Sequence, residues 1–166
     1  MNREGIRKPA WFAYKYLNEV QGKEIATGDA EALAATDGGK TNVVLWAWRQ
    51  PAQAVSNRPF FTKVRPASAD KPAELRFAGL APGRYRVAVR RVGFKANDAH
   101  TRYLEMGSPK DLSAAQIAEL QGLTRDVPES ASTVQVGRDG RHSLSVKMRS
   151  NDVVLVSVEP AGSAQQ

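Results

Sequence analysis

Two short runs constrain this chain more than anything else in it: TNVVLWAW (Thr41–Trp48) and DVVLVSVEP (Asp152–Pro160). In the first, Val44, Trp46 and Trp48 share one face of a strand, and Val43, Leu45 and Ala47 share the other. In the second, Val154, Val156 and Val158 alternate with Val153, Leu155 and Ser157. A strand that is apolar on both faces must be covered on both, so each run belongs inside a sheet with a layer on either side. Other runs are covered once. AELRFAGL sets Leu75 and Phe77 against Glu74 and Arg76, and GRYRVAVRRV sets Tyr85, Val87 and Val89 against Arg84, Arg86, Ala88 and Arg90. FFTKV (Phe60–Val64) reads as a further strand, and STVQV and HSLSVKM flank GRDG as a hairpin through Asp139-Gly140. About seven short strands with Pro and Gly turns predict a mainly β chain, an antiparallel β-sandwich.

Two helical stretches break this pattern. NDAHTRYLEMGSP and DLSAAQIAELQGL form a short helical insertion over about 97–123, the second opened by a capping-box pair, Ser113 and Gln116. The other stretch opens the chain. KPAWFAYKYLNEVQG (Lys8–Gly22) is a helix with Pro9 in its first turn and Gly22 at its stop. Phe12, Tyr16, Val20, Ala13, Leu17, Ala10 and Tyr14 sweep roughly 200° of its circumference, about twice the stripe a surface helix carries. Such a helix needs cover on two sides. The organisation expected is an N-terminal segment and helix over 1–22, a sandwich over 23–160 and a flexible tail over 161–166.

Composition narrows the chemistry. The 166 residues are ordinary for one soluble domain, at 42% hydrophobic and 25% charged. Without cysteine there are no disulfides, thiol nucleophiles or thiolate metal sites. The two histidines, His100 and His142, lie far apart, so no metal site and no cofactor are expected. No run of 18 apolar residues is present, and no membrane partner is expected. The start, MNREGIRKP, carries no apolar signal-peptide core. The net charge of +7 gathers partly in Arg84, Arg86, Arg90, Arg91 and Lys95. Without an aromatic nucleic-acid motif, these read as a solvated face with cross-strand ion pairs rather than a nucleic-acid surface.

The ordered series GIRKPAWFAYKYLNEVQGKEI, VVLWAW, SNRPFF, GLAPGRYRV, GFKANDAHTRYLEMGSPKDLSAAQ and NDVVLVSVEP resembles the C-terminal part of glycoside hydrolase family 39. That family holds β-xylosidases and α-L-iduronidases, and the chain is more similar to the bacterial β-xylosidases. The resemblance runs from about Gly5 to Pro160. It implies a catalytic (β/α)8 barrel followed by a β-sandwich, with KPAWFAYKYLN similar to the last barrel helix and the passage out of it. A retaining glycosidase needs two carboxylates about 5–5.5 Å apart, at the C-terminal ends of barrel strands. By resemblance both belong to the barrel and none to this chain. The function implied is a non-catalytic accessory domain of a xylan 1,4-β-xylosidase-like enzyme, with the barrel as partner. A free-standing carbohydrate-binding module is the alternative. The parent family points to a secreted or periplasmic protein, with a cytoplasmic one also compatible.

Candidate residues follow. Trp48 and the loop residues Asn57, Arg58, Phe60 and Phe61 are the candidates for carbohydrate contact, although Trp46 and Trp48 fit the core better. Trp11, Phe12 and Tyr16 are the candidates for facing the barrel, or for a weak homo-oligomer through the first helix. Asp98, Glu105 and His100 read as a helix cap and solvated side chains rather than an acid/base cluster.

Overall fold

The computed structural model describes residues 4–49, 55–56 and 58–162, with only the backbone described for Pro59 and Phe60. Helix α1 (Pro9–Glu19) is followed by strands β1 (Lys23–Ile25), β2 (Ala32–Asp37) and β3 (Lys40–Trp46) and a short helix α2 (Pro59–Thr62). Strands β4 (Ala73–Phe77) and β5 (Gly83–Val92) precede helices α3 (Ala99–Glu105) and α4 (Ala114–Gly122). Strands β6 (Ser130–Val136), β7 (His142–Val146) and β8 (Val153–Pro160) close the chain. A six-stranded sheet runs β1-β2-β3-β8-β5-β6, a two-stranded sheet pairs β4 with β7, and all pairings are antiparallel.

The two runs apolar on both faces are the two central strands, β3 and β8, paired to each other from Thr41↔Val158 to Trp46↔Val153. On one face Val43, Leu45, Val154, Val156 and Val158 meet Leu75, Phe77, Leu144 and Val146 of the small sheet. On the other face Val44 and Leu155 pack under Phe12 and Tyr16 of α1. The large sheet is therefore the middle of three layers, between the small sheet and α1. Gly22 lets the chain turn from α1 into β1. Its φ is +95°, and a Cβ there would lie 2.4 Å from the Thr36 carbonyl oxygen, so only glycine fits.

Several expectations are corrected. Phe60–Val64 is not a strand: Pro59 opens a single helical turn, Phe61 stays 65% exposed, and extended backbone returns only at Lys63. GRDG does make a turn, closed by Gly140 N–H donating to the Gly137 carbonyl, but its arms do not form a hairpin. β6 joins β5 in the large sheet, while β7 joins β4 in the small one, so the turn crosses the sandwich. The β4–β5 turn crosses alongside it, with the Leu80 N–H donating to the Gly140 carbonyl at 3.1 Å. A tight turn fixes where the chain reverses, not which sheet each arm enters. β1 and β2 carry no sequence signal, β1 being exposed throughout and β2 rich in alanine. The helical insertion is present as α3 and α4, with the Ser113–Gln116 capping box formed. The tail expected over 161–166 is described only as far as Gly162.

Candidate interface

Helix α1 divides its wide apolar arc between two surroundings. Phe12 and Tyr16 have no exposed surface and pack on Val44, Val92 and Leu155. Trp11 meets Phe12 edge-on with ring centroids 5.0 Å apart, and the Arg7 guanidinium sits over the Trp11 ring at 4.9 Å. Phe12 and Tyr16 therefore do not face outward toward a barrel or a second copy; they anchor α1 to its own sheet. Trp11 is half-buried beside them. The open half of the arc is Ala10, Ala13, Tyr14 and Leu17, with Tyr14 75% and Leu17 42% exposed. These positions recur at helical spacing, so they form one stripe.

Beside that stripe runs a groove of about 420 Å³ lined by Ala13, Leu17, Val44, Trp46, Trp48 and Val153. Trp48 lies beyond the end of β3 and is 67% exposed, so it is not a core residue. Three polar partners fix the chain there. The Asn151 carboxamide oxygen accepts from the Arg49 N–H at 3.1 Å, and the Arg49 side chain pairs with Glu31 and Asp70. Leu17, Tyr14, Val153 and Asn151 were not legible as site residues. The helical arc contained the first two, but only the packing of α1 decides which half turns outward.

The other carbohydrate candidates do not gather around Trp48. Arg58 and Phe61, both exposed, lie before and within α2 and do not line the groove. Asn57 lies outside the described residues, as does the side chain of Phe60. Asp98 caps α3 by accepting from the Thr101 N–H at 3.0 Å. Glu105 pairs with Lys95 at 3.0 Å and with Arg102 at 3.7 Å. These two carboxylates are thus a cap and an ion-pair partner. Among the described residues, no three His, Asp or Glu side chains are grouped to hold a metal ion, and no helix is long and apolar enough to cross a membrane.

The basic stripe is only partly the solvated face expected. Arg84 and Arg86 are exposed, but Arg91 turns inward at 7% exposure. Its Nε and Nη2 donate to both Glu129 oxygens, at 2.7 and 2.8 Å, its Nη1 to Asp152, and its Nη2 also to the Lys147 carbonyl. Asp152, whose side chain is fully buried, also takes a two-pronged contact from Arg149 at 2.9 and 3.1 Å. Burial works against the Arg91 charge, and its hydrogen bonds to Glu129 and the nearby Asp152 and Glu129 charges outweigh it, holding its pKa above the ordinary value.

No protein-family model matches this sequence, and no curated protein does either. Solved structures do. A GH39 enzyme from Xanthomonas axonopodis pv. citri superposes with a TM-score of 0.93 and 49% identity over 97% of this chain and 32% of its own. A monomeric β-xylosidase from Caulobacter crescentus CB15 gives 0.92 and 49% over 98% of this chain and 32% of its own. The chain matches one domain of glycoside hydrolase family 39 enzymes. A GH39 β-xylosidase from Caulobacter crescentus gives 0.76 and 38%, over 96% of this chain and 29% of its own. The chain thus spans about a third of the length of the GH39 structures it matches. Nearly all of this chain is matched by that third, and the other two thirds or so of each GH39 structure lie outside the match.

Proposed function

We propose that this chain is the C-terminal, non-catalytic β-sandwich of a GH39 enzyme similar to xylan-degrading bacterial β-xylosidases, and that it packs against the enzyme's catalytic barrel through the outer face of α1 and the adjoining groove. The observation that carries this reading is the split helix. Half of the apolar arc of α1 is buried on the sheet, and the other half lies open beside an apolar groove. A contiguous apolar surface of this kind on a small domain marks a contact with another protein surface. The GH39 relatives supply two further thirds of chain to make that contact. The carboxylates described above are engaged in capping and ion pairs, which fits a domain whose part is structural.

Removing the stripe tests this. Tyr14→Ser together with Leu17→Asp is expected to lower the binding of a hydrophobic dye and to abolish any weak concentration-dependent association in sedimentation. Tyr14 is largely exposed and Leu17 partly so, and the sandwich should stay folded with a loss of no more than about 1–2 kcal/mol. Dye binding and association equal to those of the parent chain would remove the stripe from the interface.

The exposure of Trp48 favours a second reading, a free-standing carbohydrate-binding module, because a bare indole face can stack on a sugar ring. The groove beside it is lined mainly by apolar side chains, whereas a sugar site also needs converging polar groups. Xylose and xylo-oligosaccharides are therefore expected to bind at roughly millimolar or weaker, a free energy of only about −4 kcal/mol. Micromolar binding lost in Trp48→Ala would favour the module.

A further inference from the structure

Strands β5 and β6 are direct neighbours, paired from Gly83↔Val136 to Val89↔Ser130. A two-residue turn suffices to join antiparallel neighbours. Instead, residues 93–129 intervene, with two helices whose ordering costs backbone and side-chain entropy. Their contacts converge on one place. Gln121 Nε2 donates to the Glu4 carbonyl at 2.6 Å, and Arg7 Nη1 donates to the Thr124 carbonyl at 2.8 Å. Ile6 is buried in a cluster with Ala99 of α3 and Leu120 of α4. Beyond α4, the side chain of Asp126 receives both Lys15 and the Tyr16 hydroxyl, the latter at 2.6 Å. Burial, then the neighbouring Asp126, pushes the Tyr16 phenol well above its ordinary pKa, so it remains a neutral donor.

The insertion is itself fixed to the sheet. Asn97 Nδ2 donates to the Arg91 carbonyl at 2.8 Å, and Asn97 Oδ1 accepts the Asp126 N–H at 3.0 Å. At its far end the Glu129 N–H donates to the Val89 carbonyl at 2.8 Å. Asn97 and Asp126 both have positive φ, +48° and +58°, a conformation that asparagine and aspartate tolerate better than most residues. The insertion thus grips residues 4–16 with one side and the C-terminal end of β5 with the other.

We propose that the α3–α4 insertion is a clamp on the N-terminal segment, with Asp126 as its latch, and that it sets the angle at which the outer face of α1 is presented. The clamp is read from contacts within this chain and stands whether or not a barrel covers that face. Asp126 is a positioning residue: it acts through Lys15 and Tyr16. Two kinds of tether hold α1, the Phe12 and Tyr16 rings on the sheet and the polar latch. Losing the latch should therefore loosen α1 without unfolding the sandwich.

Hydrogen exchange on this chain tests the clamp. In Asp126→Ala, amides of Phe12–Glu19 are expected to exchange about tenfold faster or more, while β3 and β8 keep their protection to within about twofold. Arg7→Ala with Gln121→Ala removes the tethers at the other end and should speed exchange over Ile6–Trp11, which decides the matter if Asp126→Ala does not fold. Glu105→Gln, which breaks pairs to Lys95 and Arg102 alone, should leave α1 unchanged. Unaltered α1 protection in the first two variants would overturn the clamp. So would loss of protection in α1, β3 and β8 by the same factor, which would make Asp126 a general stabiliser.

Discussion

Asp152→Ala is expected to destabilise the chain by about 3–5 kcal/mol, the cost of removing one partner from a buried ion pair. The carboxylate is fully buried between Arg91 and Arg149. Arg91 is itself almost wholly buried and would retain Glu129, but Glu129 is 41% exposed and lies at the edge of the cluster. The variant thus leaves Arg91 with one partly solvated carboxylate and removes the carboxylate that Arg149 grips. The site has no slack to absorb the loss. A Cβ on Gly93 would sit 1.9 Å from Asp152 Oδ1, so the chain has kept this corner clear for the carboxylate. Gly93→Ala should therefore be destabilising too, because the added methyl would push the carboxylate off its partners. Urea unfolding with both variants checks this. A loss below about 1 kcal/mol in Asp152→Ala would mean that the cluster is no stronger than a surface pair.

No turnover of a chromogenic β-xyloside is expected from this chain at enzyme-level concentrations. Double displacement at an anomeric carbon needs a nucleophile and an acid/base carboxyl about 5–5.5 Å apart. Asp98 holds the N-terminus of α3, and Glu105 is held between Lys95 and Arg102, so neither is free to attack or to pass a proton. Turnover that survives repurification and disappears in Asp98→Asn or Glu105→Gln would overturn the non-catalytic assignment.

What the sequence showed of this fold was its periodicity. The double-sided alternation of β3 and β8 identified the middle of a layered sheet, and the capping box located α4. The hairpin through Asp139-Gly140 misled because pairing is settled by contacts distant in sequence: β6 is claimed by β5, and β7 by β4. Strand β1 was invisible because all three of its residues face solvent and carry no pattern. At the candidate interface, the width of the α1 arc was legible and its partition was not. The sheet took Phe12 and Tyr16, so Tyr14 and Leu17 were left outside. Arg91 read as one more exposed arginine because its two carboxylate partners lie 38 and 61 positions away.

In a whole GH39 enzyme the outer face of α1 and the Trp48 groove are expected to be covered. Hydroxyl-radical footprinting measures this directly, by comparing the chain alone with a chimaera in which the remaining two thirds of the Xanthomonas GH39 enzyme precede it. In the isolated chain Tyr14, Leu17 and Trp48 should react readily, as should Val127, which is 70% exposed and lies outside the groove. In the chimaera the first three are expected to lose most of their reactivity while Val127 keeps its own. Tyr14, Leu17 and Trp48 reacting as fast in the chimaera as in the isolated chain would contradict the account.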